Sequence, residues 1–177
     1  SQLTKEDLSK GVIASSAGNH AQGVALSASF LKCRAVIVMP LTTPIMKVRA
    51  VESHKAKVIL FGETYDECYE KALEISKEEN LTFIHPFDDP EVIAGQGTIG
   101  LEILRQSHNP PDAIYIAVGG GGLIAGVSAY VKAIWPDIKI IGVEPEDACA
   151  MKLSLEANKP IELDRVGLFA DGVAVRK

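Results

Sequence analysis

Four consecutive glycines, Gly119 to Gly122, stand directly after the apolar run Ala113–Val118 and directly before a helical pattern that begins at Leu123. Backbone without side chains can curl so that successive N–H groups point at one anion, and a helix N-terminus adds partial positive charge. The chemistry implied is phosphate capture. No lysine followed by Ser or Thr completes a P-loop, and Leu123 and Ile124 break the usual G-x-G-x-x-G spacing. The competing reading is a tight turn that needs glycine for steric reasons alone.

A second constellation, Ser15-Ser16-Ala17-Gly18-Asn19-His20, also closes an apolar run, Val12–Ser15, and opens a helical pattern. In a parallel sheet, that end of a strand is where ligands bind. Ser16, Asn19 and the neighbouring N–H groups could hold a carboxylate, and the Asn19 amide offers both a donor and an acceptor. A plain helix cap explains Ser and Asn here equally well. Two such corners, facing each other across a cleft between domains, would suit a phosphorylated cofactor and a carboxylate.

The other polar residues carry less. His20 could pack or cap, His54 and His108 read as surface, and His85 ends a strand where a hydrogen-bond network is the ordinary role. Glu144 ends the run Ile138–Val143 and reads either as a ligand or as a helix-start carboxylate, and Lys152 to Lys159 reads as a solvated helix. Cys33, Cys68 and Cys149 form neither a disulfide framework nor a zinc pattern, so no metal is expected and free thiols suit a reducing compartment.

The elements that must position these loops are regular. Apolar runs start at 12, 35, 58 and 82, a spacing of 23 to 24 residues. That is too long for hairpins and right for a strand plus a crossover helix. Continuous apolar runs (Ala35–Met39, Val58–Phe61) suit parallel strands buried on both faces. Ala21, Val24, Ala28 and Leu31 keep helical spacing, as do Ile45, Val48 and Val51 after Thr43-Pro44, and Tyr65, Tyr69, Ala72 and Ile75. A further helix is expected to start near Gly97-Thr98, with threonine as cap. The fold class is α/β, parallel sheets with flanking helices, in two domains spanning 1–92 and 93–177.

Composition agrees. The 177 residues are 47% hydrophobic and 23% charged, with a net charge of −5 and mean hydropathy +0.15. This is a globular chain whose charge repels nucleic-acid phosphates, so no nucleic-acid partner is expected. Ala113 to Val131 is uncharged over 19 residues, but each glycine inside a helix is about 1 kcal/mol worse than alanine. A strand, loop and helix is the better reading of that stretch, and neither a membrane span nor a signal peptide is expected.

Taken together, Ser16-Ala17-Gly18-Asn19-His20-Ala21-Gln22-Gly23, Gly95-Gln96-Gly97-Thr98 and Val118 to Leu123 occur in the order found in pyridoxal-phosphate-dependent serine/threonine dehydratases, which the chain resembles along essentially its whole length. The stretch Val166 to Val175 is similar to the biosynthetic threonine dehydratase branch. The resemblance implies a type II pyridoxal-phosphate-enzyme fold, present in part. It implies that Gly119, Gly120, Gly121, Gly122 and Leu123 bind the phosphate of pyridoxal 5'-phosphate and that Asn19 bonds its 3′-oxygen. Ser16, Ala17, Gly18, Asn19 and His20 would hold the carboxylate of an amino-acid substrate. The implied reaction is dehydration and deamination of L-threonine, or L-serine, to 2-oxobutanoate or pyruvate and ammonia, in isoleucine biosynthesis. A homo-oligomer in the cytoplasm, or in the plastid stroma of a plant, is implied as well.

Alternatives are a serine racemase or serine dehydratase of the same fold, or a non-catalytic module binding a phosphorylated metabolite. Racemases of this type usually carry serine where Ala17 stands, and alanine has no proton to return to the opposite face of the substrate. Relatives that hold a divalent cation do so through positions matching Glu144, Ala148 and an acid at 150, where this chain has Ala150. The family's Schiff-base lysine lies in a Ser-Phe-Lys motif, and no Phe-Lys pair occurs here; Lys5 and Lys10 precede the carboxylate loop without it. The chain thus reads as an interior portion with no catalytic residue of its own. The purified 177-residue chain is expected not to deaminate threonine, and release of 2-oxobutanoate from it would contradict this.

Overall fold

The computed structural model describes residues 3–167 and 169–177; Leu168, within the Val166 to Val175 stretch, lies outside the described residues. The chain divides into two compact units, Ser1–Pro86 and Phe87–Lys177. In the first, β1 (Val12–Ser15), β2 (Ala35–Met39), β3 (Lys57–Leu60) and β4 (Thr82–Phe83) form one parallel sheet in the order β3-β2-β1-β4. Ser15 pairs with Val38, and Ile13 with both Val36 and Phe83.

Side chains alternate across each strand, so both faces of this sheet need cover. Val12, Ala14, Ala35, Ile37 and Met39 pack under α2 (Asn19–Leu31) and α3 (Ile45–Glu52). Ile13, Val36 and Val38 pack under Cys68, Ala72 and Ile75 of α4 (Tyr65–Glu78). Ile13, Ile37 and Met39 are fully buried, and each such side chain contributes about 1.5–3 kcal/mol. Leu31 and Ile45, expected on buried stripes, are instead exposed: Leu31 is the last residue of α2 and Ile45 the first of α3.

The short α1 (Lys5–Lys10) escaped the apolar-pattern reading because it buries nothing; its signal is the capping box between Thr4 and Asp7. α4 opens with the same device. The Glu67 carboxylate accepts the N–H of Glu63 at 2.8 Å and of Thr64 at 2.9 Å, and those bonds hold it below the usual carboxylate range.

In the second unit, β5 (Ala113–Ala117) and β6 (Lys139–Val143) pair in parallel. They pack with α5 (Pro90–Gln106) and α6 (Gly122–Ile134) around Ile116, Val127, Val131 and Ile138. The uncharged stretch Ala113 to Val131 is accordingly strand, loop and helix. Among the described residues, no helix is long and apolar enough to cross a membrane.

The helix expected to begin at Gly97-Thr98 begins earlier. α5 starts at Pro90, with Asp89 as its cap bonding the N–H of Glu91 and Val92, and Thr98 sits mid-helix with its hydroxyl on the Gly95 carbonyl at 2.7 Å. The glycines that resemble punctuation are a packing seam. A Cβ on Gly97 would lie 3.2 Å from the Gly126 carbonyl oxygen, and one on Gly126 would lie 2.7 Å from the Gly97 nitrogen and press on the Ile93 carbonyl. α5 and α6 therefore meet backbone to backbone. Gly126→Ala should destabilise the protein by about 1–3 kcal/mol through overpacking, lowering the urea midpoint; an unchanged midpoint would show that the seam has slack.

Candidate functional site

The order β3-β2-β1-β4 reverses direction between β1 and β4, and ligands of open parallel sheets bind at such a switch point, beyond the strands' carboxyl ends. The loop Ser16–Gly18 leaves β1 there. Ser16 N–H returns to the Val38 carbonyl at 3.2 Å, and the Ser16 hydroxyl accepts the Gly18 N–H at 3.1 Å. Gly18 then caps α2 without a side-chain bond, and the first turn carries no acid. The N–H groups of Ala17, Asn19, His20 and Ala21 meet no acceptor among the described residues. Asn19 is exposed at this end of the helix. Donors of this kind need water or a ligand.

His20 has a more definite job. Its Nε2 lies 3.1 Å from the Ile84 carbonyl oxygen, which can only accept, so Nε2 carries the proton and Nδ1 is left as an acceptor in the neutral ring. The bond fastens the first turn of α2 to the end of β4, across the switch point. Burial pushes the imidazole below its ordinary pKa; the Ile84 bond opposes this, and nearby His85 adds to it. His85 in turn meets Tyr69 and Phe83 edge-on, with ring centroids 6.1 and 6.2 Å away.

In the second unit, Val118 N–H closes the β5–β6 ladder on the Val143 carbonyl, and the chain then turns through Gly119–Gly121 into α6. Three of the four glycines have their own steric reason. Gly121 is left-handed at φ 86°, where a side chain would be strained. A Cβ on Gly120 would sit inside the Phe87 ring, and one on Gly122 would lie 2.7 Å from the Phe87 carbonyl oxygen and 2.9 Å from its Cα. The steric reading of these glycines is therefore correct at three positions, and it does not exhaust the loop. The N–H groups of Gly119 through Ile124 find no acceptor among the described residues; the first satisfied amide is Ala125, on the Gly121 carbonyl at 3.0 Å. α6 has neither a capping side chain nor an acid in its first turn. Six consecutive donors at a helix N-terminus, left without an internal acceptor, fit a phosphate dianion.

Other helices show the contrast. α1, α4 and α5 are capped by Thr4, Thr64 and Asp89, and α7 (Ala150–Ala157) by Glu144, which accepts the N–H of Met151 at 3.0 Å and of Lys152 at 2.8 Å. Of the two readings of Glu144, the helix-start carboxylate is the one this geometry displays. Its partners lie seven and eight residues further on, beyond ordinary cap spacing. α3 also lacks a capping side chain, since Pro44 occupies the cap itself rather than the first helical position.

These corners belong to a known class. The chain is a member of the pyridoxal-phosphate dependent enzyme family, whose model matches residues 1–177. It is 61% identical over 176 residues to a protein of Arabidopsis thaliana named threonine dehydratase biosynthetic, chloroplastic, and 58% identical to the L-threonine dehydratase biosynthetic of Burkholderia multivorans. These alignments cover 99% and 98% of this chain but 30% and 35% of the relatives, so the chain spans about a third of their length. Among solved structures, it resembles threonine deaminase isoform 2 from Solanum lycopersicum, with TM-score 0.91 at 55% identity over 99% of this chain and 51% of that one. It also resembles maize serine racemase, with TM-score 0.89 at 36% identity over 98% and 52%. The α/β fold is thus the family's.

The stability that comes from keeping His20 neutral is complete above pH ~6.5, the ordinary imidazole value, and is lost as the pH falls below it toward the lowered folded value. His20→Gln removes that titration. Denaturation midpoints measured between neutral and about pH 5 should fall less steeply in the variant; parallel curves would refute the assignment.

Proposed function

We propose that this chain forms the phosphate-binding and carboxylate-binding portion of a pyridoxal-phosphate-dependent L-threonine dehydratase, which yields 2-oxobutanoate and ammonia in isoleucine biosynthesis. The observation that carries the reading is the run of unaccepted amides from Gly119 to Ile124; the identity to proteins named threonine dehydratase supplies the reaction. When bound, pyridoxal phosphate supplies a conjugated ring that spreads the negative charge left by removal of the substrate's α-proton.

The chain's own residues bind and orient. The Gly119–Gly122 and Leu123 amides would hold the phosphate. The Asn19 side chain would donate to the pyridoxal 3′-oxygen. The Ser16 hydroxyl and the amides from Ala17 to His20 hold the substrate carboxylate, which aligns the α-hydrogen for removal, while His20 keeps this loop fastened to β4. The Ala17 methyl group offers no proton to the face it borders, which favours loss of the β-hydroxyl over return of a proton to Cα. No lysine of this chain is given the Schiff-base role.

The protein acts on a small amino acid, and we place it as a homo-oligomer in the cytoplasm, or in the plastid stroma if the source is a plant. The 36% identity to maize serine racemase favours serine racemisation as the second reading, and Ala17 weighs against it. The protein in the full length its gene encodes should release 2-oxobutanoate from L-threonine and form no D-serine from L-serine. D-serine without 2-oxobutanoate would favour the racemase. Binding of pyridoxal phosphate with neither product and no borohydride-trapped adduct would leave a non-catalytic binding module.

A further inference from the structure

We propose that Phe87 is a positioning residue for the phosphate loop, setting its affinity for the anion through contact with the loop's backbone. This rests on the reading of Gly119–Gly122 as the phosphate cradle and adds a residue to it. The contact is with the loop's backbone. The Phe87 ring occupies the volume in which a Gly120 side chain would stand, and the Phe87 Cα, Cβ and carbonyl lie against Gly122. An aromatic ring laid on two glycines acts as a template for a loop that has no side chains of its own to hold it.

The template is itself held. Pro86, whose φ is fixed by its ring, precedes Phe87, and two residues later Asp89 bonds the N–H of Glu91 and Val92 to anchor the start of α5. α5 is locked to α6 by the Gly97–Gly126 seam, and α6 begins at Gly122. The path from Phe87 through α5 and α6 returns to the loop that Phe87 touches. Closed in this way, the amides from Gly119 to Ile124 are preorganised before any anion arrives, which is where binding strength is gained. Without the ring, two glycines with free φ and ψ would sample many states and the array would disperse.

The test compares pyridoxal phosphate with pyridoxal, its phosphate-free form, by calorimetric titration of the full-length protein. Wild type should prefer the phosphorylated form strongly. Phe87→Ala and Phe87→Leu should reduce that preference by about tenfold, the factor equal to 1.4 kcal/mol, with affinity for pyridoxal itself little changed; Phe87→Tyr should retain it. Gly120→Ala, which displaces the ring while leaving Phe87 in place, should reproduce the loss. If Phe87→Ala does not fold, Phe87→Leu, which keeps most of the volume, decides. Should the wild type show no preference for the phosphate, the cradle reading fails and takes this proposal with it. Should it show a preference that both Leu and Ala variants keep, while their urea midpoints fall, Phe87 is a packing residue only and the proposal alone is overturned.

Discussion

A buried or half-buried backbone N–H that finds no acceptor is among the least tolerable features of a folded chain. Two strand-to-helix corners of this protein concentrate amides with no acceptor among the described residues: Ala17 and Asn19 to Ala21 in one unit, Gly119 to Ile124 in the other. Everything around them explains why the chain does not simply cap them. Elsewhere, α3 with its Pro44 cap excepted, it caps with threonine, aspartate or a glutamate reaching back from the end of a strand. At these two corners it places glycine and leaves the donors exposed to whatever arrives.

The scaffold makes this possible by being strict where the loops are permissive. In the first unit, β1 and β2 are buried on both faces, so the register that delivers Ser15 and Ser16 to the sheet's carboxyl edge has little freedom. His20 adds a cross-tie to β4. In the second, the direct approach of α5 to α6 fixes the axis of the helix whose first-turn amides find no acceptor among the described residues. Strand ends supply position, helix ends supply polarity, and glycine supplies access.

Much of this was legible in the residues. The apolar runs located the strands and their parallel sense, but burial on both faces holds for β1 and β2 alone among the described strands. Val58–Phe61, expected to be equally covered, falls on the edge strand β3 and the residue after it, with Leu60 and Phe61 exposed. Both corners could be located because each closes an apolar run. The start of α5 was misread because Gly97 and Thr98 look like punctuation until the close approach of α6 is known, while Asp89-Pro90, a cap followed by a proline, carried the true signal. The tether from His20 to Ile84 spans 64 residues, and the template role of Phe87 depends on a contact with Gly120. Neither follows from spacing, since both are made by the tertiary fold.

From Ser15 to Gln22 and from Ala113 to Val131 there is no lysine or arginine, and His20 is kept neutral by its surroundings. Anions at these corners would be retained by fixed dipoles instead of by formal charge. Such dipoles are short-ranged and directional, so retention would depend on the shape of the guest and only weakly on the saltiness of the medium. A chain that is itself net negative would thereby admit anionic guests without advertising for them at a distance, choosing by fit at the doorway what it declines to attract from afar.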